Sequence, residues 1–412
     1  MTSPLEKRIR RHVVGKSHRF FAVTAPGLEP LCRGELESLE ITGAAVEGGV
    51  EFSGRLQAVY LANLCLRTAN RILLRVHEFR ATSFRALAQE AASFPWELFI
   101  APGTPLRIHV TTHHCRLHHS DAIAERVQTA ITERLSAFSV AQARMPQQIF
   151  IRGADDRFTA SLDSSGENLY RRGIKTHAGE APLRETLAAA ALMLAGYSGE
   201  EVLLDPMCGA GTFSLEAALM AKHLPPGGHR DFAFMAWPGF RPPHWSFLKR
   251  NADEQVVRLE APRIMASDKD PNACRVLEEC VEAGRAAGVP TTYVVKRGTR
   301  YELQVSDADG ANAQTVLKAA DVHPVGYPNV VAMENLGKKL EGATNGRYKL
   351  QMFPGGVLGA EKEMVEQFKL EGAPMPLVLA IAPNGAVTAG STAIADLIWP
   401  PSRSVTAGPP PL

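Results

Sequence analysis

The chain has 412 residues, 45% of them hydrophobic and 21% charged, and a formal net charge of +2. At roughly 100–200 residues per domain, this length predicts two or three domains with their own cores. The near-neutral charge points to no partner class by itself. The six cysteines (Cys32, Cys65, Cys115, Cys208, Cys274 and Cys280) contain no CxxC pair, which argues against a zinc ribbon or a disulfide framework and fits a reducing cytoplasm. No apolar run of about 18 residues predicts a membrane span, and the charged start lacks the apolar stretch of a secretory signal.

Residues 1–20 carry Lys7, Arg8, Arg10, Arg11, Lys16 and Arg19 against Glu6 alone. Residues 1–17 read as a basic arm, equally well a phosphate-touching segment or a solvated tail. From residue 18 to 80 short strands alternate with helices. HRFFAVTA reads as a strand, LEPLCRGELESL as an amphipathic helix, GGVEFSG as a strand, and LQAVYLANLCLRTANRILLRV as a helix running into a strand. Residues 81–165 repeat this α+β theme. PLRIHVTTHH is a strand, Ser120 and Asp121 precede the helix AIAERVQTAITERL as its cap, and QQIFIRGADDRFTASLDSSG is a pair of strands around a solvated Asp155–Asp156 turn.

Residues 166–290 change to long Ala/Leu helices around short buried strands, an α/β pattern. Here VLLD (202–205) is a buried strand ending in an acid, Met207 to Thr212 a tight turn holding Gly209 and Gly211, and residues 213–222 a helix. Glycines let a backbone approach a nucleotide-like ligand closely, and the helix N-terminus offers free N–H groups. A second strand, RIMASD (263–268), ends in Asp268, followed by Lys269 and Asp270. An acid there is the usual partner of ribose hydroxyls. Asp268 lies far beyond the roughly 20 residues that separate glycines from acid in a plain dinucleotide fold, so residues 222–262 are an insertion. Its PPGGHRDFAFMAWPGF and RPPHWSFLKR segments suit either a flap that stacks bases or an excursion packed on the sheet.

Taken together, NLYRRGIKTHAGEAPLRETLAAAAL (168–192), LLDPMCGAGTFSLEAALMA (203–221), FAFMAWPGF and ASDKDPNA (266–273) resemble the THUMP-domain RNA methyltransferases, in particular the bacterial type that modifies guanine N2 of large-subunit ribosomal RNA. The resemblance runs from about residue 18 to 288. It implies a ferredoxin-like domain (18–80) and a THUMP RNA-binding domain (81–165) ahead of a Rossmann-like class I methyltransferase domain (166–290) using S-adenosylmethionine. The cofactor-binding set it implies is Asp205, Pro206, Cys208, Gly209, Gly211, Thr212, Asp268 and Asp270, with Asp268 on the ribose hydroxyls and Arg184 and Glu185 beside the cofactor mouth. The RNA-facing set is Arg116, His118, His119, Arg171, Arg172 and Lys175, and structured RNA, foremost ribosomal RNA, is the expected partner.

The family's Asn/Asp-Pro-Pro-Tyr loop, which holds the target amino group, has no match among LPPGG, RPPHW, WPPSR and GPPPL. No residue is therefore assigned a catalytic role, and the methyltransferase sheet is expected to stop after its second strand, near Gly288. Beyond a polar linker or seam (291–315), residues 316–373 resemble the first lobe of a TRAP-type solute-binding protein, without that family's substrate-clamping arginine. Residues 374–412 read as a Pro/Gly-rich tail of low order, and PLVLAIAPNGA (376–386) as the start of a further unrelated segment. The fold class expected is α/β: an N-terminal ferredoxin-like plus THUMP α+β module, then a truncated Rossmann-like domain, then an unrelated α/β fragment.

The smaller features divide between chemistry and plain structure. His113, His114, His118 and His119 around Cys115 span a strand end and a helix start, so their side chains splay and an RNA-facing or plain surface role outweighs a metal site. Cys208 reads as a small turn residue rather than a nucleophile, and Lys338, Lys339 and Lys349 as a solvated face. Three functions follow: a cytoplasmic RNA methyltransferase, a catalytically incomplete chimera that keeps RNA binding, and, least supported, a periplasmic solute-binding protein.

Overall fold

The structure, a computed structural model, describes residues 3–138, 146–173 and 183–257 save residue 206, and shorter stretches between residues 264 and 388. It divides into two compact units. The N-terminal unit gathers Met1–Lys175, Arg184–Ala190 and His223–Val256, and the second gathers Thr176–Leu183, Ala191–Lys222 and Val257–Leu412. No helix among the described residues is long and apolar enough to cross a membrane.

The N-terminal unit opens with α1 (Pro4–Ile9), capped by Ser3, whose side chain accepts the amide of Glu6. Its strands are β1 (His18–Val23), β2 (Gly43–Val46), β3 (Gly49–Gly54), β4 (Arg71–Arg80), β5 (Leu106–His113), β6 (Gln147–Ala154) and β7 (Arg157–Asp163). They form one seven-stranded sheet in the order β2-β3-β1-β4-β7-β6-β5, parallel only at β5–β6. The expected ferredoxin-like and THUMP segments therefore share a continuous sheet, joined where β4 pairs β7 antiparallel. Strict alternation along the strands sends Phe20, Leu74, Leu162, Ile149 and Ile151 to one face, where they are buried. The helices α2 (Glu29–Ser38), α3 (Leu56–Cys65), α4 (Phe84–Ser93) and α5 (Ser120–Ser136) supply Leu36, Val59, Leu87, Ile123 and Ile131 to the same core.

Two local expectations are corrected. The cap position of α5 is His119, with no side-chain cap bond, and Ser120 is already helical. The β6–β7 turn does fall on Asp155 and Asp156, at φ 49° and 62°, the left-handed pair that a two-residue hairpin requires. Asp156, however, is buried rather than solvated. Its Oδ1 accepts the amide of Arg116 at 2.8 Å, tying the β5–α5 loop to the hairpin.

The insertion belongs to the N-terminal unit and is a plug in its core. Phe232 and Phe234 are 1% and 0% exposed and Trp237 5%. Phe234 stacks on Tyr60 of α3 at 4.5 Å, and Trp245 of α8 (Pro242–Glu254) meets Phe234 edge-on at 5.5 Å. The indole N–H of Trp237 donates to Gln147 Oε1 at 2.8 Å. These aromatics are core, so the base-stacking alternative does not hold for them. The excursion closes where Val257 N–H donates to the Lys222 carbonyl at 3.0 Å.

The second unit holds a four-stranded sheet in the order β10-β9-β8-β13, formed by β8 (Leu203–Asp205), β9 (Ile264–Ala266), β10 (Val294–Val295) and β13 (Leu377–Val378), all parallel. It does not stop at the second strand: β10 extends one edge, and β13, from the segment read as unrelated, pairs beside β8. The helices α6 (Glu185–Leu194) and α7 (Thr212–Ala221) precede and follow β8. Separately, β11 (Thr315–Ala320) and β12 (Tyr348–Phe353) pair in parallel through the helix Pro328–Ala343, the crossover that a parallel pair needs. Further on, β14 (Ala380–Ile381) pairs antiparallel with β15 (Val387–Thr388).

Because Phe234 fills a sealed core position, Phe234→Ala is expected to cost about 3–5 kcal/mol, the range for a buried aromatic truncated to alanine. Urea denaturation followed by circular dichroism checks this; a loss below about 1 kcal/mol would mean that the insertion is not part of the core.

Candidate functional site

The candidate site is the turn between β8 and α7. β8 is buried along its whole length and delivers Asp205, 5% exposed, to the carboxyl end of the sheet. Gly209 and Gly211 follow at φ 51° and 75°, a backbone region that only glycine enters freely. Gly211 is doubly constrained, because a Cβ there would come within 2.3 Å of Leu277 Cδ1. Its amide donates to the Cys208 carbonyl at 2.7 Å, which closes the turn and starts α7 at Thr212 without a side-chain cap.

Two acids end adjacent parallel strands. Asp268, beyond β9, accepts the amide of Gly209 on Oδ2 at 2.8 Å and the amide of Asp270 on Oδ1 at 2.9 Å. Asp205 accepts the Ser214 hydroxyl at 2.6 Å. Burial pushes its carboxyl up to about 6, the Ser214 hydroxyl opposes that shift, and the neighbouring Asp268 charge adds to it. Asp270 is exposed and accepts the amide of Asn272 at 2.9 Å. Cys208 is 8% exposed and packs with Leu215, Ala266, Leu277 and Cys280 under the turn. Of the expected cofactor residues, Asp205, Gly209 and Asp268 are thus brought together, Thr212 begins the helix, and Pro206 lies outside the described residues. Ser214 was missed; a serine on the first turn of the helix after the glycine loop was the available signal. Arg184 and Glu185 fall in the N-terminal unit, where the Arg184 guanidinium lies 5.5 Å from the Tyr170 ring.

The expected RNA-facing residues separate into two kinds. Arg116, His118, His119 and Arg171 are exposed. Arg172 is 4% exposed, and its guanidinium donates to the carbonyls of Leu169 and Arg67 at 2.9 and 2.7 Å. It is a tie inside the fold, which corrects its assignment to an RNA contact. Lys175 lies outside the described residues. The His113 and His114 rings are 3.9 Å apart and those of His118 and His119 4.3 Å, yet among the described residues no group of three or more His, Cys, Asp or Glu is placed to hold a metal ion. Five cysteines among the described residues are free thiols.

Two outcomes follow from this geometry. Because the Asp205 carboxyl titrates near 6 in the fold but near ~3.9 unfolded, the folded chain holds that proton more tightly. The stability it contributes is complete below about pH 4 and is lost as pH rises through about 6. Relative to Asp205→Asn, the parent chain is therefore expected to lose on the order of 2–3 kcal/mol between about pH 4 and about pH 7, read from denaturation midpoints. Gly211→Ala combines left-handed strain with the Leu277 clash and should lower stability by about 1–3 kcal/mol in the same assay.

Residues 172–311 match the family described as RMKL-like, methyltransferase domain, and residues 19–73 match the RlmL ferredoxin-like domain. Residues 319–384 match bacterial extracellular solute-binding protein, family 7. Among relatives, the ribosomal RNA large subunit methyltransferase K/L of Methylococcus capsulatus is 32% identical over 76% of this chain and 41% of its own length. That of Psychromonas ingrahamii is 36% identical over 70% of this chain and 38% of its own length. The chain thus spans about two fifths of the curated relatives it matches. Among solved structures, a predicted N6-adenine-specific DNA methylase from Listeria monocytogenes superposes with a TM-score of 0.64 at 25% identity, over 82% of this chain and 89% of that one. A putative methyltransferase complexed with SAH gives 0.63 at 25%, with the same two coverages of 82% and 89%. Residues 19–73 and 172–311 are therefore similar to the RlmL ferredoxin-like domain and to the RMKL-like methyltransferase domain, respectively.

Proposed function

We propose that the chain is a cytoplasmic S-adenosylmethionine-dependent RNA methyltransferase acting on a guanine N2 of large-subunit ribosomal RNA, with its N-terminal unit gripping the RNA. The observation that carries this reading is the turn after β8. Two left-handed glycines without side chains form the turn, Asp205 and Asp268 stand at the ends of adjacent parallel strands, and each binds into the turn or the first turn of α7, Asp268 through the Gly209 amide and Asp205 through Ser214. This donor set fits a nucleoside bearing an amino-acid chain: backbone amides for a carboxylate, acids for hydroxyls and an ammonium. Identity to the K/L methyltransferases and the fold likeness to a methyltransferase complexed with SAH support the same group.

Asp268 would accept the ribose hydroxyls, exchanging its present bond to the Gly209 amide. Asp205, anchored by Ser214, would hold the turn in place and face the positively charged end of the ligand. Gly209 has open space where a Cβ would sit, so a ligand can lie directly on its backbone. When bound, S-adenosylmethionine supplies an electrophilic methyl group on a sulfonium. The protein's part is to align the acceptor nitrogen with that methyl and to exclude water, a matter of positioning. Exposed Arg116, His118, His119 and Arg171 support RNA contact by the N-terminal unit.

A second reading has its own observation. The Asn/Asp-Pro-Pro-Tyr loop is absent from the sequence, and the match to a solute-binding family begins at residue 319, soon after the methyltransferase match ends at 311. On that reading the chain keeps cofactor and RNA binding but transfers no methyl group.

Calorimetric titration with S-adenosylmethionine is expected to show one site, weakened at least about tenfold by Asp268→Ala through loss of charged hydrogen bonds. No binding by the parent chain would overturn the cofactor assignment. Transfer of labelled methyl groups to undermodified ribosomal RNA separates the two readings: incorporation supports the enzyme, and binding without incorporation supports the incomplete chimera.

A further inference from the structure

Among the described residues, the core helices pack against one face of the seven-stranded sheet. Side chains of the other face follow from the register. Arg107, His109 and Thr111 of β5 stand beside Gln148, Phe150 and Arg152 of β6, and Arg157 of β7 stands beside Arg80 of β4. Further along, Arg75 pairs with Arg19, and Leu73 with Phe21. Arg80, Arg107, His109, Arg152 and Arg157 are exposed and Phe150 is half-buried, whereas the opposite face holds the core.

This other face is cationic. Its acids are already matched: Glu51 with Arg75, Glu78 with Arg19 at 2.6 Å, and Asp163 with Arg71. Arg80, Arg107, Arg152 and Arg157 form no ion pair among the described residues and remain available. The face also carries planar groups in contact. The exposed His109 ring stacks on Phe150, with centroids 4.8 Å and planes 19° apart, and the Arg71 guanidinium lies 5.3 Å from the Phe150 centroid. The Arg75 guanidinium lies 4.6 Å from the Phe21 centroid. Of the exposed large hydrophobic side chains of the described residues, only Val46, on the far β2 edge, is on this face and none is on β4, β7, β6 or β5, so that part of the face lacks the apolar anchors of a protein or membrane contact.

We propose that the face of β4–β7–β6–β5 opposite the core helices is a platform for a single-stranded stretch of RNA. Bases would stack on the His109–Phe150 pair, and phosphates would be taken by Arg107, Arg152, Arg157 and Arg80. A broad sheet face cannot enter a duplex groove, whereas unstacked bases lie flat on planar side chains across a sheet, with cations flanking the backbone. The platform rests on the RNA-binding part of the function proposed above and is distinct from the Arg116–His119 loop. It gives that function a preference for an unpaired target.

The test uses the full chain and a fluorescein-labelled, unstructured pyrimidine RNA of about 12 nucleotides, within the site size of known platforms, with a duplex of the same length as control. Affinity for the single strand is expected to fall with salt at a slope near −3 in log–log terms, about −0.7 per arginine engaged. Arg107→Ala with Arg152→Ala should reduce that slope by about 1.4. Phe150→Leu with His109→Ser should weaken single-strand binding about tenfold and leave the duplex unchanged, with circular dichroism and the melting temperature checking the fold. No single-strand binding by the parent chain, or parental affinity in folded variants, would overturn the platform. Equal losses on single strand and duplex would reduce the face to a general polyanion surface and overturn the stacking assignment. Cofactor titration on the same samples keeps the two ideas apart: its failure with the platform intact removes only the methyltransferase reading.

Discussion

The pairing of β4 with β7 is the constraint on which the N-terminal half depends. β4 is ten residues long, and it bonds β1 along its first half and β7 along nearly its whole length. Two α+β segments thereby become one sheet with one core, and the alternation of a strand then decides everything on both sides of it. Ile72 and Leu74 point inward at 0% exposure, while Arg71 and Arg75 are sent to the opposite face. The ledge formed by Arg71 also holds Asp163. That carboxylate is fully buried and accepts the amides of Ser165 and Gly166, yet burial still raises its pKa to about 6 because the Arg71 charge offsets only part of the desolvation. The end of the sheet is thus fixed by a buried ion pair with its lone pairs satisfied by backbone.

Much of this was legible from sequence, for a physical reason. LRIHVTTH carries a period of two that no helix shares and HRFFAV a short apolar run, and both are strands, Leu106–His113 with alternating burial and His18–Val23 with Phe20, Phe21 and Ala22 buried in succession. The glycine turn was legible because chemistry and conformation agree there: Gly209 and Gly211 do stand at positive φ, and Asp268 does reach back to the turn. The family resemblance drawn from residues 168–273 agrees with the later matches over 19–73 and 172–311.

What was not legible turns on partners distant in the chain. Phe232, Phe234 and Trp237 have the same composition as a base-stacking flap, and only the position of Tyr60 and Gln147 decides that they are core. Arg172 looks like any arginine of an RNA-facing run until the carbonyls of Leu169 and Arg67 are seen to enclose it. The two residues of β13 carry no period at all; only their pairing with Leu203 and Leu204 identifies them as a strand of the parallel sheet.

The excursion of residues 223–256 has a consequence for how the chain acquires its structure. The core of the N-terminal unit includes Phe232, Phe234 and Trp237, which follow β8 and α7 of the other unit in sequence. Synthesis proceeds from the N-terminus, so the first unit cannot seal its core until the nucleotide-type turn and its helix have already left the ribosome. The apolar pocket around Tyr60 must stay open during that interval. The order of emergence and the order of completion are therefore inverted, and the later-encoded turn has the chance to fold first.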